Sequence, residues 1–284
     1  MRIAERFGTL LQSIKWGEWS LICLYLSLLS GILVGLHYDP QEPFYSTSAL
    51  DILIPYGAWF RSLHFYSSQL FFLFSVAHYL AVFGKSESYD TASYIVLILC
   101  LPVTLMLLFT GYVLRFDSTG FSAGMIAEHI LEAIPLFGST LDRLLFAISD
   151  GGLQRVYLHH VCSFNIVFLL LAWNHLRRYY RVNLAAHLPL VAVVMLIGVF
   201  VAAPLDPDQL GISYITGPWF FLGLQELLRY LPPFVAGVLV PVALVGALTL
   251  LRRKSRWYPH LLMFVGCWLV CYLLLTVLAL TTHD

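Results

Sequence analysis

Four histidines stand inside long apolar runs, in two pairs of nearly equal spacing: His64 and His78, fourteen residues apart, and His160 and His175, fifteen apart. An ionisable side chain in an apolar helix is costly, so each begins as a functional candidate. Fourteen α-helical residues turn through about 1400°, within roughly 40° of the starting face, and rise about 21 Å. Fifteen overshoot by roughly 60° and rise about 22 Å. Each run therefore offers two imidazoles on nearly one face, one towards each end. Imidazole nitrogen is a good axial ligand for iron, and two facing helices of this kind supply a histidine pair at each of two depths, as two stacked b-type haems require. A single intramembrane histidine is more simply explained by a hydrogen bond to a neighbouring helix. Two matched pairs are hard to obtain that way. His159 points about 100° away from His160 and is expected to be a spectator. His37, His129, His187, His260 and His283 fall at helix ends or in loops, where a solvated imidazole is the plainer explanation.

The elements that must position these residues are transmembrane helices. Hydrophobic residues make up 60% of the 284 and charged residues only 11%, more apolar surface than a soluble domain can hide. A bilayer core needs roughly 20 apolar residues per helix. That length predicts seven spans, near residues 19–37, 59–83, 93–114, 156–179, 188–203, 234–251 and 260–280. No alternating barrel pattern appears, so the expected class is all-α, a polytopic bundle with a four-helix core. The expected division is 1–183 for that di-haem bundle and 184–284 for a C-terminal three-helix part.

Charge orients the bundle. With the N-terminus in the cytoplasm, eleven of the 16 Lys and Arg residues fall on the cytoplasmic side: Arg2, Arg6, Lys15, Lys85, Arg177, Arg178, Arg181, Arg252, Arg253, Lys254 and Arg256. Arg61, Arg115, Arg143, Arg155 and Arg229 fall on the other side, with acids such as Asp51, Asp117 and Asp208. This positive-inside bias, with an odd span count, places the C-terminus outside. The outer side also carries the longest loops, 115–155 and the proline-rich 204–233 with Pro207 and Pro218, where a site or docking surface is expected. The zero net charge excludes nucleic-acid binding through a basic surface. The five cysteines stand without a CxxC, so neither a zinc site nor a c-haem attachment is written here.

In their order, these features resemble cytochrome b of the cytochrome bc complexes, over nearly all of the chain. Arg61-Ser-Leu-His64 with His78 is similar to that family's R-x-x-H and its second histidine. Arg155-Val-Tyr-Leu-His159-His160 resembles the start of its other haem helix, and the fifteen-residue step to His175 is similar to the chloroplast-type branch. Gly111-Tyr112-Val113-Leu114 matches the end of the family's third helix. Glu132-Ala133-Ile134-Pro135-Leu136-Phe137-Gly138 resembles its quinol-site loop, and Pro218-Trp219-Phe220 stands where P-E-W-Y is expected.

The resemblance implies two non-covalent haem b groups, with His64 and His160 on the outer iron and His78 and His175 on the inner one. It implies Arg61 and Arg155 as partners of haem propionates, with interfacial snorkelling as the alternative. Gly17, Gly31 and Gly111 fall at its small-residue positions, where a helix approaches a macrocycle or simply another helix. Quinone would be the substrate, bound outside near Ile134, Pro135, Pro218, Trp219 and Phe220, and inside near His187 and Arg181. Iron–sulphur or cytochrome c-type subunits would be partners, in a dimeric complex of a bacterial inner membrane.

Departures from the pattern shift the expected roles. Pro218 replaces the motif glutamate and Phe220 its tyrosine, so Glu226 is the leading candidate to accept a quinol proton, with Glu128, His129 and Glu132 beside it. Arg115-Phe116 replaces a Pro-Trp, and the lysine–aspartate pair of the fifth helix is missing. Lys15 falls near the position of the chloroplast-type covalent haem cysteine, so no covalent c-type haem is expected. The seven spans are similar to the chloroplast-type cytochrome and its separate subunit joined in one polypeptide. Two other functions fit parts of the pattern: a di-haem anchor of a hydrogenase or formate dehydrogenase, and a haem-free transporter with protonatable histidines.

Overall fold

The structure, a computed structural model, describes residues 14–206 and 215–282. Arg2, Arg6, Pro207, Asp208 and His283 lie outside the described residues. Among the described residues every regular element is a helix, and the protein is an integral membrane protein. Five helical segments are long and apolar enough to cross a bilayer: Trp16–Leu36, Gly57–Lys85, Thr91–Leu114, Leu153–Tyr179 and Tyr258–Thr282. Two shorter apolar segments, Leu184–Phe200 and Val235–Leu250, fall at the fifth and sixth expected spans.

The chain forms two compact units. One comprises residues 14–39, 45–108 and 168–204. Its framework is α1 (Trp16–Leu36), α2 (Pro43–Leu53) and α3 (Gly57–Val82). Helices α1 and α3 pack closely because α1 turns small residues inward; Ser20, Ser27 and Ser30 are buried. Ser20 Oγ lies 2.8 Å from Ser75 Oγ on α3, a way to satisfy hydroxyls without water. Leu21, Leu24, Leu63, Phe71, Phe168, Ala172 and Val194 form the apolar core. At the start of α3, Tyr56 has a left-handed φ of 62°, and a Cβ on Gly57 would overlap the Leu50 carbonyl. Only glycine fits that corner.

The other unit comprises residues 40–44, 109–167, 205–206 and 215–282. It contains the end of α4 (Thr91–Leu114), α5 (Ser118–Glu132), α6 (Gly138–Leu145) and the first part of α7 (Leu153–Tyr179). Then come α9 (Leu222–Leu227), α10 (Val240–Leu250) and α11 (Tyr258–Thr282); α8 (Leu188–Phe200) belongs to the first unit. Asp117 caps α5 by accepting from the Gly120 N–H at 2.8 Å. It also pairs with Arg115, which reaches Asp206 at 2.9 Å. Gly223 of α9 lies against Tyr272 and Thr276 of α11, and Tyr272 Oη donates to the Phe220 carbonyl at 2.7 Å. The segment carrying Trp219 and Phe220 is thereby tied to a membrane helix.

Candidate haem and quinone sites

Each of three glycines faces one of the four histidines. A Cβ on Gly31 would stand 2.7 Å from Cε1 of His64; on Gly111, 2.9 Å from Cε1 of His160; on Gly17, 3.0 Å from Cε1 of His78. Real Cβ contacts essentially never fall under 3.0 Å. These glycines therefore make room for imidazoles rather than only for a neighbouring backbone. Gly31 and Gly17 lie on α1, fourteen residues apart, and meet two histidines fourteen residues apart on α3. The same period on both helices explains the repeat.

Two of the rings are held at Nδ1. His64 Nδ1 lies 2.9 Å from the Ser27 carbonyl, which can only accept, so Nδ1 carries the proton. In a neutral imidazole that leaves the lone pair on Nε2, the form that ligates a metal. His160 Nδ1 lies 3.0 Å from the hydroxyl of Thr110, which is 1% exposed. Sequence reasoning missed Ser27 and Thr110. Thr110 directly precedes Gly111, so a polar residue beside a glycine that faces His160 was the available signal.

His78 and His175 lie in one unit, with ring centroids 6.0 Å apart. Two imidazoles bound end-on to one transition metal, each with a metal–nitrogen bond of about 2 Å, place their centroids roughly 6 Å apart. His175 Nδ1 is buried without a hydrogen-bond partner. All four histidines are only partly buried by protein. The glycine-cleared space, the Nδ1 proton of His64 and the paired His78 and His175 rings fit a flat macrocycle held by imidazoles.

The two arginines have protein partners. Arg61 donates to Asp51 Oδ1 at 2.7 Å and to the Ala203 carbonyl at 2.8 Å. Arg155 donates to the Arg143 carbonyl. His159 bonds Ser163 Oγ at 3.0 Å and the Leu144 carbonyl at 2.9 Å, so it is a structural tie rather than a spectator. His187 is buried at the start of α8 and meets Glu18 Oε2 at 2.5 Å; Lys15 reaches Glu18 Oε1 at 3.0 Å. Arg181 is exposed and bonds the Tyr180 hydroxyl at 2.9 Å.

Of the four candidate proton acceptors, Glu226 is 1% exposed and accepts from Tyr230 Oη at 2.9 Å. That bond raises the Tyr230 pKa, because the neutral phenol is the donor. Glu128 is also buried; the Ser149 hydroxyl donates to it, as does the Ser149 N–H at 3.0 Å. Glu132 is exposed, and its carboxylate lies with those of Glu128 and Asp142 inside 4.8 Å. They line a cleft of about 280 Å³ with Ser139, Arg143 and Ser149. Burial, then the Glu128 and Glu132 charges, raises the Asp142 pKa against a backbone bond from Ala147. His129 bonds the Met125 carbonyl of its own helix at 2.7 Å.

The Ile134-Pro135 loop doubles back tightly. Leu136 has a left-handed φ of 67°, and a Cβ on Gly138 would meet the Glu132 carbonyl at 2.4 Å. Such a conformation costs about 1–3 kcal/mol and persists only where the surroundings enforce it. Pro218 and Phe220 are buried and Trp219 is 47% exposed. Gln225, unremarked in the sequence, fixes the approach to Pro218: its Oε1 accepts from the Gly217 N–H at 2.9 Å and its Nε2 donates to the Ile215 carbonyl at 2.7 Å.

Comparison with known proteins identifies the family and the fold. A cytochrome b of Bugula neritina is 26% identical, over 86% of this chain and 77% of its own. A solved structure, a hyperthermophilic respiratory Complex III, shares the fold at a TM-score of 0.66 with 20% identity, covering 94% of this chain and 83% of that one. The family described as Cytochrome b/b6/petB matches residues 8–182, the stretch containing all four histidines and all three glycines. The chain belongs to the cytochrome b family.

Proposed function

We propose that this chain is the di-haem cytochrome b subunit of a membrane quinol oxidoreductase. His78 and His175 would hold one haem b on the cytoplasmic side, and His64 and His160 would hold the other on the outer side. The observation that carries this reading is the clearing of space by glycine in front of His64, His78 and His160. A haem supplies a one-electron carrier of adjustable potential. The protein's part is to hold the imidazoles: Ser27 sets the His64 tautomer, Thr110 fixes His160, and Gly17, Gly31 and Gly111 keep the approach open. Residues 1–183 would form the haem bundle and 184–284 complete the outer quinol site.

At that outer site Glu226 is the favoured proton acceptor. It follows Pro218-Trp219-Phe220 on the next short helix and is buried, conditions in which a carboxylate is an effective base. Glu128 and Glu132 belong to the adjoining loop and lead protons towards water. On the cytoplasmic side His187, paired with Glu18, and Arg181 are the groups offered to a second quinone. Electrons leave to iron–sulphur or cytochrome c-type subunits of a dimeric complex in a bacterial inner membrane, with the chain's N-terminus cytoplasmic and its C-terminus outside. No covalent c-type haem belongs to it.

The test is a redox titration of the reduced-minus-oxidised spectrum of the detergent-purified chain, with haem content by pyridine haemochrome. Two non-covalent b haems per chain, titrating as two low-spin components, are expected. His78→Leu should remove one component. A folded chain, made with haem available, that binds none would overturn the reading and leave the transporter alternative.

A further inference from the structure

The helix that carries His160 and His175 is not α-helical throughout. Residues His159–Ser163 form one π turn within Leu153–Tyr179. A π turn closes its bonds at i→i+5, holds one residue more than an α turn, and recurs at functional sites. The extra residue has a counterpart in the spacing. From His160 to His175 is fifteen steps, whereas His64 to His78 is fourteen, along a helix that is α throughout. With one residue absorbed by the π turn, fifteen steps wind through about the angle that fourteen cover in plain α-helix.

Two polar side chains bind this turn. Asn165 Nδ2 donates to the His160 carbonyl at 2.6 Å and to the Val161 carbonyl at 3.2 Å. His159 crosses the turn to Ser163 Oγ, and its Nε2 bonds the Leu144 carbonyl. A carbonyl can only accept, so Nε2 carries the proton and Nδ1 accepts from the Ser163 hydroxyl. An asparagine and a second histidine in an apolar helix are costly unless they are satisfied. Here Asn165 is tied to the turn that holds His160, and His159 is tied both to that turn and to the Leu144 carbonyl of α6.

We propose that Asn165 and His159 are positioning residues for His160. They hold the π turn that takes up the fifteenth residue, and so set the direction in which the His160 imidazole projects. This rests on the four-histidine reading above. In a haem site the direction of the axial imidazole tunes potential and electronic structure, so the proposal has a signature that loss of general stability lacks.

The experiment compares the wild-type chain, in its own membranes, with Asn165→Leu, which keeps the size and removes the donor. The readouts are optical redox titration and low-temperature electron paramagnetic resonance of the oxidised haems. Asn165→Leu is expected to shift the midpoint potential and largest g value of one component, the one that His160→Leu removes, and to leave the other unmoved. Unchanged values for both components, or equal shifts in both, overturn the proposal. If Asn165→Leu loses that haem altogether, deleting Val161 in the same chain decides. Removing the residue that the turn absorbs should restore the component, and failure to restore it overturns the proposal. A wild-type chain with fewer than two b components refutes the four-histidine reading itself, which the wild-type titration registers before any variant is made.

Discussion

The unit around α1 and α3 and the unit containing the loops after α4 hold their candidate groups by opposite means. In the first, His64 and His78 are placed by what is missing: Gly31 and Gly17 leave out the side chains that would block the rings. In the second, Glu128 and Glu226 are placed by what is present, hydroxyls and an N–H that satisfy their oxygens. A large flat group needs room, and any extra methyl is an obstacle. A buried acid needs partners, since an unsatisfied carboxylate away from water is strongly disfavoured. Room and partners therefore fail differently when mutated.

The largest effect is expected for the glycines, because a Cβ cannot be accommodated by degrees. Gly31→Val should abolish one b component, measured as haem per chain and as loss of that component from the titration. The graded series sharpens the comparison. Alanine at Gly31, at 2.7 Å, should be more harmful than at Gly111, at 2.9 Å, and that more than at Gly17, at 3.0 Å. Equal tolerance of all three alanines would mean that these glycines serve helix packing and not the rings.

The difference between the units also explains what could be read from the sequence. The helical class, the seven apolar segments and the two matched histidine pairs follow from period and composition, which survive in one dimension. Gly17, Gly31 and Gly111 came from the family resemblance, and which histidine each faces came only from the structure. The partners in the second unit do not. Arg115 and Asp206 are ninety-one residues apart, and Glu128 and Ser149 twenty-one. No local pattern announces such bonds. Arg61 shows the limit from the other side. Its position near an interface fitted a haem propionate, and the fold commits four of its five N–H groups to Asp51 and the carbonyls of Ala203 and Pro204, partners that no local pattern announced.

A second break in the comparison is Arg115. Its guanidinium and Asp117 are both buried, so Arg115→Met leaves a carboxylate without its cation. Removing one partner of a buried pair costs about 3–5 kcal/mol. The loop unit should lose thermal stability while both b components keep their potentials. A haem spectrum that changes as much as the melting temperature would show that the Arg115–Asp117 pair also supports His160, which lies in the same unit.

Glu226→Gln keeps the shape and an acceptor for Tyr230 but cannot take up a proton. Quinol oxidation is expected to fall by about 10²-fold, the lower end of what a positioned base contributes, with both haems retained. Glu132→Gln, at an exposed position, should cost less than Glu226→Gln. The reverse order would move the proton acceptor to the end of α5.

The smallest expected effect is at Asp142, and its sign follows from burial. Its folded pKa lies above the ordinary 3.8, chiefly because burial penalises the charged form, with Glu128 and Glu132 adding to the penalty while Ala147 and Arg155 oppose it. The folded protein thus holds this proton more tightly than the unfolded chain. The associated stability is fully present below the ordinary aspartate value and is lost as pH rises through the raised one. Asp142→Asn does not titrate and keeps Oδ1 as acceptor for the Ala147 N–H, 3.1 Å away. Above the raised pKa the variant should therefore melt higher than the parent, by about 2–4 °C if roughly 1 kcal/mol is at stake. In acid that advantage should vanish, because the parent's carboxyl is then neutral as well. A gap of constant size across pH would mean that the cleft holds Asp142 ionised at no cost. Asp142 would then be a fixed anion of the cleft rather than a place where a proton rests.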